Sequence, residues 1–257
     1  MIVPLAAAGD AAVFGGKAAA LARGLAAGLP IPDGIGIAAD APLARDAVVR
    51  SVELLAAPFA VRSSAIGEDG EHHSFAGIHL TRLGVARDEI EDAVRAVRES
   101  VHSAAALAYR ARRRIAGVPR AAVLIQPLIA VDVAAVVFTR SPISGRDEIV
   151  VEASLGLGES IVAGTIVPDR FVLDRAGGLV DEFTGDKDVA LVVRDGIVVE
   201  IEVSSPQRSA PCLSRSQLAE IVELIGAIEA VWPGPHDLEL GFAAGRLYLF
   251  QRRPQTR

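Results

Sequence analysis

A single cysteine, Cys212, cannot form an internal disulfide, so the chain fits a reducing cytoplasm, with Cys212 read as a small buried hydrophobe. Basic residues do not exceed acidic ones. The net charge of −6 argues against a nucleic-acid protein, which would present a basic surface. The first residues, MIVPLAAAGDAAVFGGK, have neither a basic leader region nor a long apolar run. No signal peptide and no membrane span are read there. Aromatics make up only 4% of the chain, yet 51% of its residues are hydrophobic, enough for a sizeable core over 257 residues. The length suits one large domain or two small lobes. No internal repeat and no low-complexity linker is visible.

The most informative stretch lies near the end, HDLELGFAAGRLYLFQRRP, residues 236–254. It reads as two strands joined at Ala243-Ala244-Gly245. Residues two apart share a strand face, so Asp237 and Glu239 form one acidic face. On the return strand Leu247, Leu249, Gln251 and Arg253 are expected on one side, with Tyr248 and Phe250 on the other. A hairpin brings the two polar pairs together across the ladder. Two carboxylates, an amide and a guanidinium suit a Mg²⁺-bound polyphosphate, with oxygen ligands for the metal and a fork for the phosphates. An amphipathic edge hairpin with a solvated polar face explains the same pattern.

Upstream, Gly15-Gly16 precedes Lys17, and Ala18 to Ala27 is helical in propensity, closed by Gly28 and stopped by Pro30 and Pro32. A cation and free N–H groups at a helix start favour phosphate, although the Walker A spacing is absent and a glycine turn before a helix is commonly only a turn. Residues 38–57 look helical. Phe59 to Val61 reads as a short strand ended by the donors Arg62-Ser63-Ser64. A polar loop with adjacent His72 and His73 follows, and then a strand to about Val85 carrying Thr81. Strand, donor-rich turn, loop and strand resemble a flap over phosphates. The two histidines lack a third ligand at metal spacing and read as solvated. Asp88 to about Ile115 is one amphipathic helix ending in the Arg110–Arg114 cluster. Gly117-Val118-Pro119 is the expected lobe boundary.

Past that boundary, Ala121–Leu128, Ala134–Thr139, Glu148–Ala153 and a segment entered at Pro168-Asp169 read as strands of the second lobe. Gly156-Leu157-Gly158-Glu159 lies among them. An excursion over 190–204 turns at Asp195-Gly196. Leu213 to Val231 is a helix capped by Ser214 with Gln217 three residues on.

Five of these pieces resemble, in order, the ATP-binding domain of phosphoenolpyruvate synthase, pyruvate phosphate dikinase and rifampin phosphotransferase. They are GGKAAALARGLAAGLPIPDG, FAVRSSAIGEDGEHHSFAGIHLT, VLIQPLIAVDVAAVVFTRSPISG, IVVEASLGLGESIVAGTIVPDRFVLDR and HDLELGFAAGRLYLFQRRPQT. Together they cover nearly the whole chain. The resemblance implies an α+β, ATP-grasp-like fold. Residues 1–257 then form one ATP-binding domain, with lobes 1–117 and 118–257 holding ATP between them. Lys17 and Arg62 match the family's phosphate-binding cations, and the Gly77-to-Thr81 stretch its phosphate flap. Gln126 and Leu128 match the hinge that contacts adenine. Glu239 and Gln251 match the Mg²⁺ ligands, and Asp237 and Arg253 neighbouring site residues. The segment between Gly34 and Pro58 is shorter than is usual in that family.

The resemblance also implies a mechanism. In that family a histidine on a swivelling domain attacks ATP, AMP leaves, and the phosphohistidine carries its phosphoryl group to the acceptor. Lys17, Arg62 and Arg253 would stabilise the transferring charge. None of the five histidines of this sequence (72, 73, 79, 102 and 236) lies in the family's glycine-rich histidine motif. The expectation is therefore a cytoplasmic ATP-using subunit of a split phosphotransferase. A separate protein brings the phosphohistidine and another binds the substrate, with no nucleic acid and no membrane involved. Two rivals are a stand-alone ATP-grasp kinase or ligase acting on a small acceptor, and a non-catalytic nucleotide-binding subunit.

Overall fold

The computed structural model describes residues 1–67, 80–112, 114, 115 and 117–255. The chain begins with β1 (Ile2–Pro4), α1 (Ala11–Ala26), β2 (Ile35–Ile37), α2 (Arg45–Ser51), β3 (Phe59–Ala65) and β4 (Thr81–Val85). Next come α3 (Ile90–Glu99), α4 (Ala104–Arg112), β5 (Ala121–Pro127), β6 (Val133–Phe138), β7 (Ile149–Leu155) and α5 (Glu159–Val162). It closes with β8 (Asp169–Leu173), β9 (Leu179–Phe183), β10 (Val189–Arg194), β11 (Ile197–Glu202), α6 (Ser205–Arg208), α7 (Arg215–Val231), β12 (His236–Ala243) and β13 (Arg246–Pro254).

Among the described residues three sheets result: β1-β2-β5-β3-β4, β13-β12-β6-β7-β8-β9, and the separate hairpin β10-β11. Every strand pairing among these residues is antiparallel. The second sheet is two-faced. Leu238, Val137, Val151 and Phe171 stand opposite one another across four strands and join the main core, which also holds the α7 stripe Leu218, Ile221, Leu224, Ile225 and Ile228. The neighbouring row, Glu239, Val136, Glu152 and Arg170, faces the other way.

Local signals set many boundaries. Asp10 caps α1 by accepting from the Ala12 N–H, and Gly28 follows the helix at φ 77°. Ser214 and Gln217 form the expected capping box on α7. Asp195 and Gly196, both at positive φ, turn the β10-β11 hairpin, as Ala244 and Gly245 turn β12 into β13.

Four expectations are corrected. Arg62-Ser63-Ser64 does not end a strand but continues β3, which is paired to β5 through Ala65. Arg62 is laddered to both β4 and β5, and Ser63 and Ser64 to β5, which keeps these polar residues in strand geometry. Ala121–Pro127 is not in the second lobe. It is β5, between β2 and β3 in the first sheet, so the changeover between sheets falls after Pro127 rather than at Gly117. The single helix over 88–115 is two, because Ser103 adopts extended geometry and its hydroxyl accepts from the Ala106 N–H, starting α4 afresh. In the 38–57 stretch only Arg45–Ser51 is helical. That segment is held by arginines instead: Arg98 donates to the carbonyls of Ala38 and Ala41, and Arg87 to those of Val52 and Leu55.

One polar knot is fully buried. The Lys187 ammonium bonds Asp169, neither side chain having exposed surface. The same carboxylate accepts from the N–H groups of Gly185 at 2.8 Å and Cys212 at 2.7 Å. Two distant segments, around Gly185–Lys187 and at Cys212, are thereby tied to the start of β8. Burial pushes the Cys212 thiol well above its ordinary range, as suits a packed hydrophobe.

Candidate active site

Between the two large sheets lies a cleft of about 430 Å³, a size typical of small-molecule sites. Part of its lining is apolar, where Leu83, Leu128, Ile129, Val131, Leu157 and Phe250 belong to one packed cluster. The rest includes the polar and charged side chains Lys17, Arg62, Asp237, Glu239, Gln251 and Arg253. Thr81 and Gln126 also line it. Of the ten residues singled out from sequence, Gly77 lies outside the described residues and the other nine meet in this one cavity.

Each side chain is placed by a nameable feature. In the β12-β13 ladder Asp237 stands opposite Arg253 and Glu239 opposite Gln251. The Arg253 guanidinium donates to Asp237 Oδ2 at 2.7 Å. Arg62 reaches across from the first sheet. It donates to Glu239 Oε2 at 2.7 Å, to Gln251 Oε1 at 3.3 Å and to the Phe250 carbonyl at 2.6 Å. Lys17 sits on α1 two residues after Gly15, whose φ of 77° breaks the helix. Gln126 is buried and its amide donates to the Pro32 carbonyl at 2.8 Å. The Leu128 N–H is used by the Pro58 carbonyl. The Gln126 side-chain N–H and the Leu128 backbone N–H are therefore already engaged.

The face assignment on β13 is corrected here. The register slips between Glu239 and Leu240: Leu240 pairs with Leu249 and Glu239 with Gln251, so Phe250 is one extra residue in β13. Such a bulge resets the alternation of a strand. Leu247 and Leu249 consequently face the core, whereas Gln251 and Arg253 share the cleft side with Phe250, not with the leucines. Arg252 takes the core side, where it bonds His236 and lies 4.9 Å from the Trp232 ring centroid.

Glu159 went unassigned in the sequence and lines the cleft. Burial raises its carboxyl above the usual range, Arg62 opposes that rise and Glu239 adds to it. The signal was the glycine turn before it. Gly156 has φ 74°, and a Cβ there would lie 2.2 Å from the Leu191 carbonyl oxygen, so only glycine lets the turn seat against β10. Asp237 is also raised by burial, with Arg253 pulling the other way.

The donor set fits a hard cation. Glu239 and Gln251 offer a carboxylate and an amide oxygen on facing strand positions, the few protein ligands that Mg²⁺ takes when phosphates supply others. Among the described residues no group of three or more His, Cys, Asp or Glu forms a self-sufficient metal cage.

The sequence pattern of the pyruvate phosphate dikinase AMP/ATP-binding domain family matches residues 43–257. The chain belongs to that family. A probable phosphoenolpyruvate synthase of Methanothermobacter thermautotrophicus is 34% identical over 200 residues, 77% of this chain and 29% of that protein. The uncharacterized phosphotransferase YvkC of Bacillus subtilis is 33% identical over 201 residues, 77% of this chain and 24% of its own length. The prodigiosin synthesizing transferase PigC of Serratia marcescens is 34% identical over 204 residues, 78% of this chain and 23% of its own. The chain thus spans about a quarter of the length of these curated relatives. Among solved structures, a dinucleotide-forming acetyl-coenzyme A synthetase of Ca. Korarchaeum cryptofilum overlays at a TM-score of 0.47 and 13% identity, covering 94% of this chain and 92% of that one. Two sheets with the cleft between them form the α+β, ATP-grasp-like arrangement that the motifs implied. Lys17 precedes the matched range, and its place in the cleft comes from the structure. No helix of the described residues is long and apolar enough to cross a membrane.

Proposed function

We propose that this chain is the ATP-binding part of a dikinase-like phosphotransferase. It uses Mg-ATP to pyrophosphorylate a histidine that a swivelling partner domain or protein presents at the cleft. The supporting observation is that Lys17, Arg62, Arg253, Glu239 and Gln251 line the same cavity as a packed apolar cluster. An adenine ring suits the apolar lining and a polyphosphate the charged side chains. Lys17, Arg62 and Arg253 donate to phosphate oxygens and spread the charge that builds during transfer. Glu239 and Gln251 would hold a Mg²⁺ ion, which would supply further neutralisation of that charge. The histidine nitrogen attacks the β-phosphorus and the bond from that atom to the α,β-bridging oxygen breaks. AMP leaves with the oxygen, and the pyrophosphoryl group stays on the histidine. The protein's task is positioning and charge neutralisation rather than covalent chemistry. Substrate binding belongs to a further protein or domain, and a cytoplasmic setting fits the lone cysteine.

The test is calorimetric titration with a non-hydrolysable ATP analogue and Mg²⁺ beside Glu239→Ala and Arg62→Ala. Binding by the wild type and its weakening in both variants is expected; no binding at millimolar nucleotide refutes the reading. With a histidine partner present, AMP as the nucleotide product supports pyrophosphoryl transfer. ADP would instead establish a kinase or ligase acting directly on a small acceptor.

A further inference from the structure

Lys17 reaches the cleft from the start of a helix that cannot cap itself. Gly15 breaks α1, with φ 77° and ψ 166°, and the helix resumes at Gly16. With Gly15 in the cap position, Ala18 is the third residue of the resumed helix. A serine or aspartate at the cap would accept from its N–H. Gly15 has no side chain to do so.

The acceptor comes instead from the first sheet. Ser64 Oγ accepts from the Ala18 N–H at 3.0 Å, across 46 residues of sequence, and Ser64 is completely buried. The approach is so close that a Cβ on Gly15 would lie 2.1 Å from the Ser64 carbonyl oxygen and 2.4 Å from its hydroxyl. Ser64 stands two positions from Arg62 on β3, so the two side chains share one face of the strand. One strand face therefore carries one cleft cation directly and holds the helix turn that carries the other.

The geometry points to Ser64 as a positioning residue for Lys17. Its hydroxyl caps the interrupted helix from outside and fixes where the Lys17 ammonium meets the phosphates. This rests on reading the cleft as a nucleotide site. Ser64 does not itself touch the nucleotide; it acts through Lys17.

The experiment is a double-mutant cycle on binding. Affinities for a non-hydrolysable ATP analogue with Mg²⁺, and for adenosine, are measured in wild type, Ser64→Ala, Lys17→Met and the double variant. Loss of a cap predicts an approximately fivefold weaker hold on the ATP analogue in Ser64→Ala, with adenosine changed less than about twofold. In the Lys17→Met background Ser64→Ala should add nothing, because the group it positions is gone. A purely structural serine gives the opposite pattern: ATP analogue and adenosine weaken together, or the two substitutions multiply. Either result overturns the inference.

Amine acylation mapped by mass spectrometry reports folding in the same samples. The sequence has only two lysines, Lys17 and Lys187, and Lys187 is fully buried. Labelling of Lys187 marks an unfolded variant. Should Ser64→Ala unfold, Ser64→Thr against Ser64→Cys carries the test. The threonine hydroxyl is expected to keep the wild-type ratio of ATP-analogue to adenosine affinity and the weakly accepting thiol to lower it; equal ratios overturn the inference. A wild type that binds no adenine nucleotide overturns the proposed function and this inference with it. A wild type that binds, with Ser64 and Lys17 uncoupled, overturns the inference alone.

Discussion

Removing the Arg62 guanidinium should strengthen metal binding and weaken nucleotide binding in the same variant. Arg62 occupies both oxygen donors proposed for Mg²⁺, Glu239 Oε2 at 2.7 Å and Gln251 Oε1 at 3.3 Å. A cation entering alone must displace it. With charge centres roughly 4 Å apart and an effective dielectric near 20, the Arg62–Glu239 attraction is on the order of 4 kcal/mol gross. Both side chains keep some solvent contact, 12% and 26% exposed, so most of that gross figure is returned as hydration when they part. A net of about 1.4 kcal/mol converts to roughly tenfold. Arg62→Met should therefore bind Mn²⁺ alone about tenfold more tightly, read by the loss of the free-ion signal in electron paramagnetic resonance. The same variant should bind the ATP analogue with Mg²⁺ more weakly, because a phosphate has lost its fork. In the wild type, metal and nucleotide should each raise the other's affinity by the same factor, and Arg62→Met should shrink that factor. Glu239→Gln, which keeps the shape and loses the charge, should bind Mn²⁺ poorly with or without Arg62. Unchanged or weaker Mn²⁺ binding in a folded Arg62→Met protein refutes the reasoning.

The buried Asp169–Lys187 knot predicts unequal damage from its two halves. Asp169→Ala leaves a buried ammonium and two N–H groups without their acceptor and should cost about 3–5 kcal/mol. Lys187→Met leaves a carboxylate still holding two N–H groups and should cost less in urea unfolding; the reverse order would show that Asp169 is not the hub. His236 predicts an acid-side loss of stability. Its Nε2 lies 2.7 Å from the Trp232 carbonyl, and its Nδ1 is 3.0 Å from Arg252, which donates to it. Burial first, and then the Arg252 charge, push the imidazole below its ordinary value. Between the unfolded value near 6.5 and the lower folded one, the unfolded chain binds the proton and the folded chain does not. Stability should therefore fall as pH drops below about 6.5 and be insensitive to this group above it; His236→Gln, followed by thermal melts from pH 8 to 5, should flatten that part of the profile.

The parts of the fold written in short-range chemistry were legible in the sequence. The α7 capping box, the glycine after α1 and the Asp195-Gly196 turn each depend on a few neighbouring residues, and each is present. So is the pairing of Asp237 and Glu239 with Arg253 and Gln251. The failures share a different origin. Nothing local to Ala121–Pro127 says which sheet will take it; its place between β2 and β3 is decided by pairings across scores of residues. Arg62-Ser63-Ser64 looks like a turn because three polar donors follow a short apolar run. The ladder to β5 and the burial of both serines make it strand. The Phe250 bulge has no residue signature either, since a phenylalanine is at home in a regular strand. It nonetheless moves Gln251 and Arg253 to the side where Arg62 and Asp237 can meet them.

That bulge bears on why the charged side chains of the cleft work as one unit. In an unbroken pleat the residues at 247, 249, 251 and 253 would share a face, and a strand with leucines in the core would bury its glutamine and arginine beside them. One extra residue lets β13 seal the core with Leu247 and Leu249 and then turn polar side chains to the opposite face within two positions. The resulting cluster draws on three places far apart in sequence: Lys17 from an interrupted helix, Arg62 from the first sheet, and Arg253 from the second. Arg62 donates across the gap between the large sheets, with hydrogen bonds to Glu239, Gln251 and the Phe250 carbonyl. Those bonds tie β3 to the β12-β13 hairpin. A polyphosphate that draws Arg62 away from Glu239 would exchange a direct sheet-to-sheet bond for one bridged by the ligand. Nucleotide occupancy and the relative setting of the two sheets are then coupled through the Arg62 guanidinium, and the coupling should weaken in Arg62→Met more than in Arg253→Met, whose partner Asp237 lies on its own sheet.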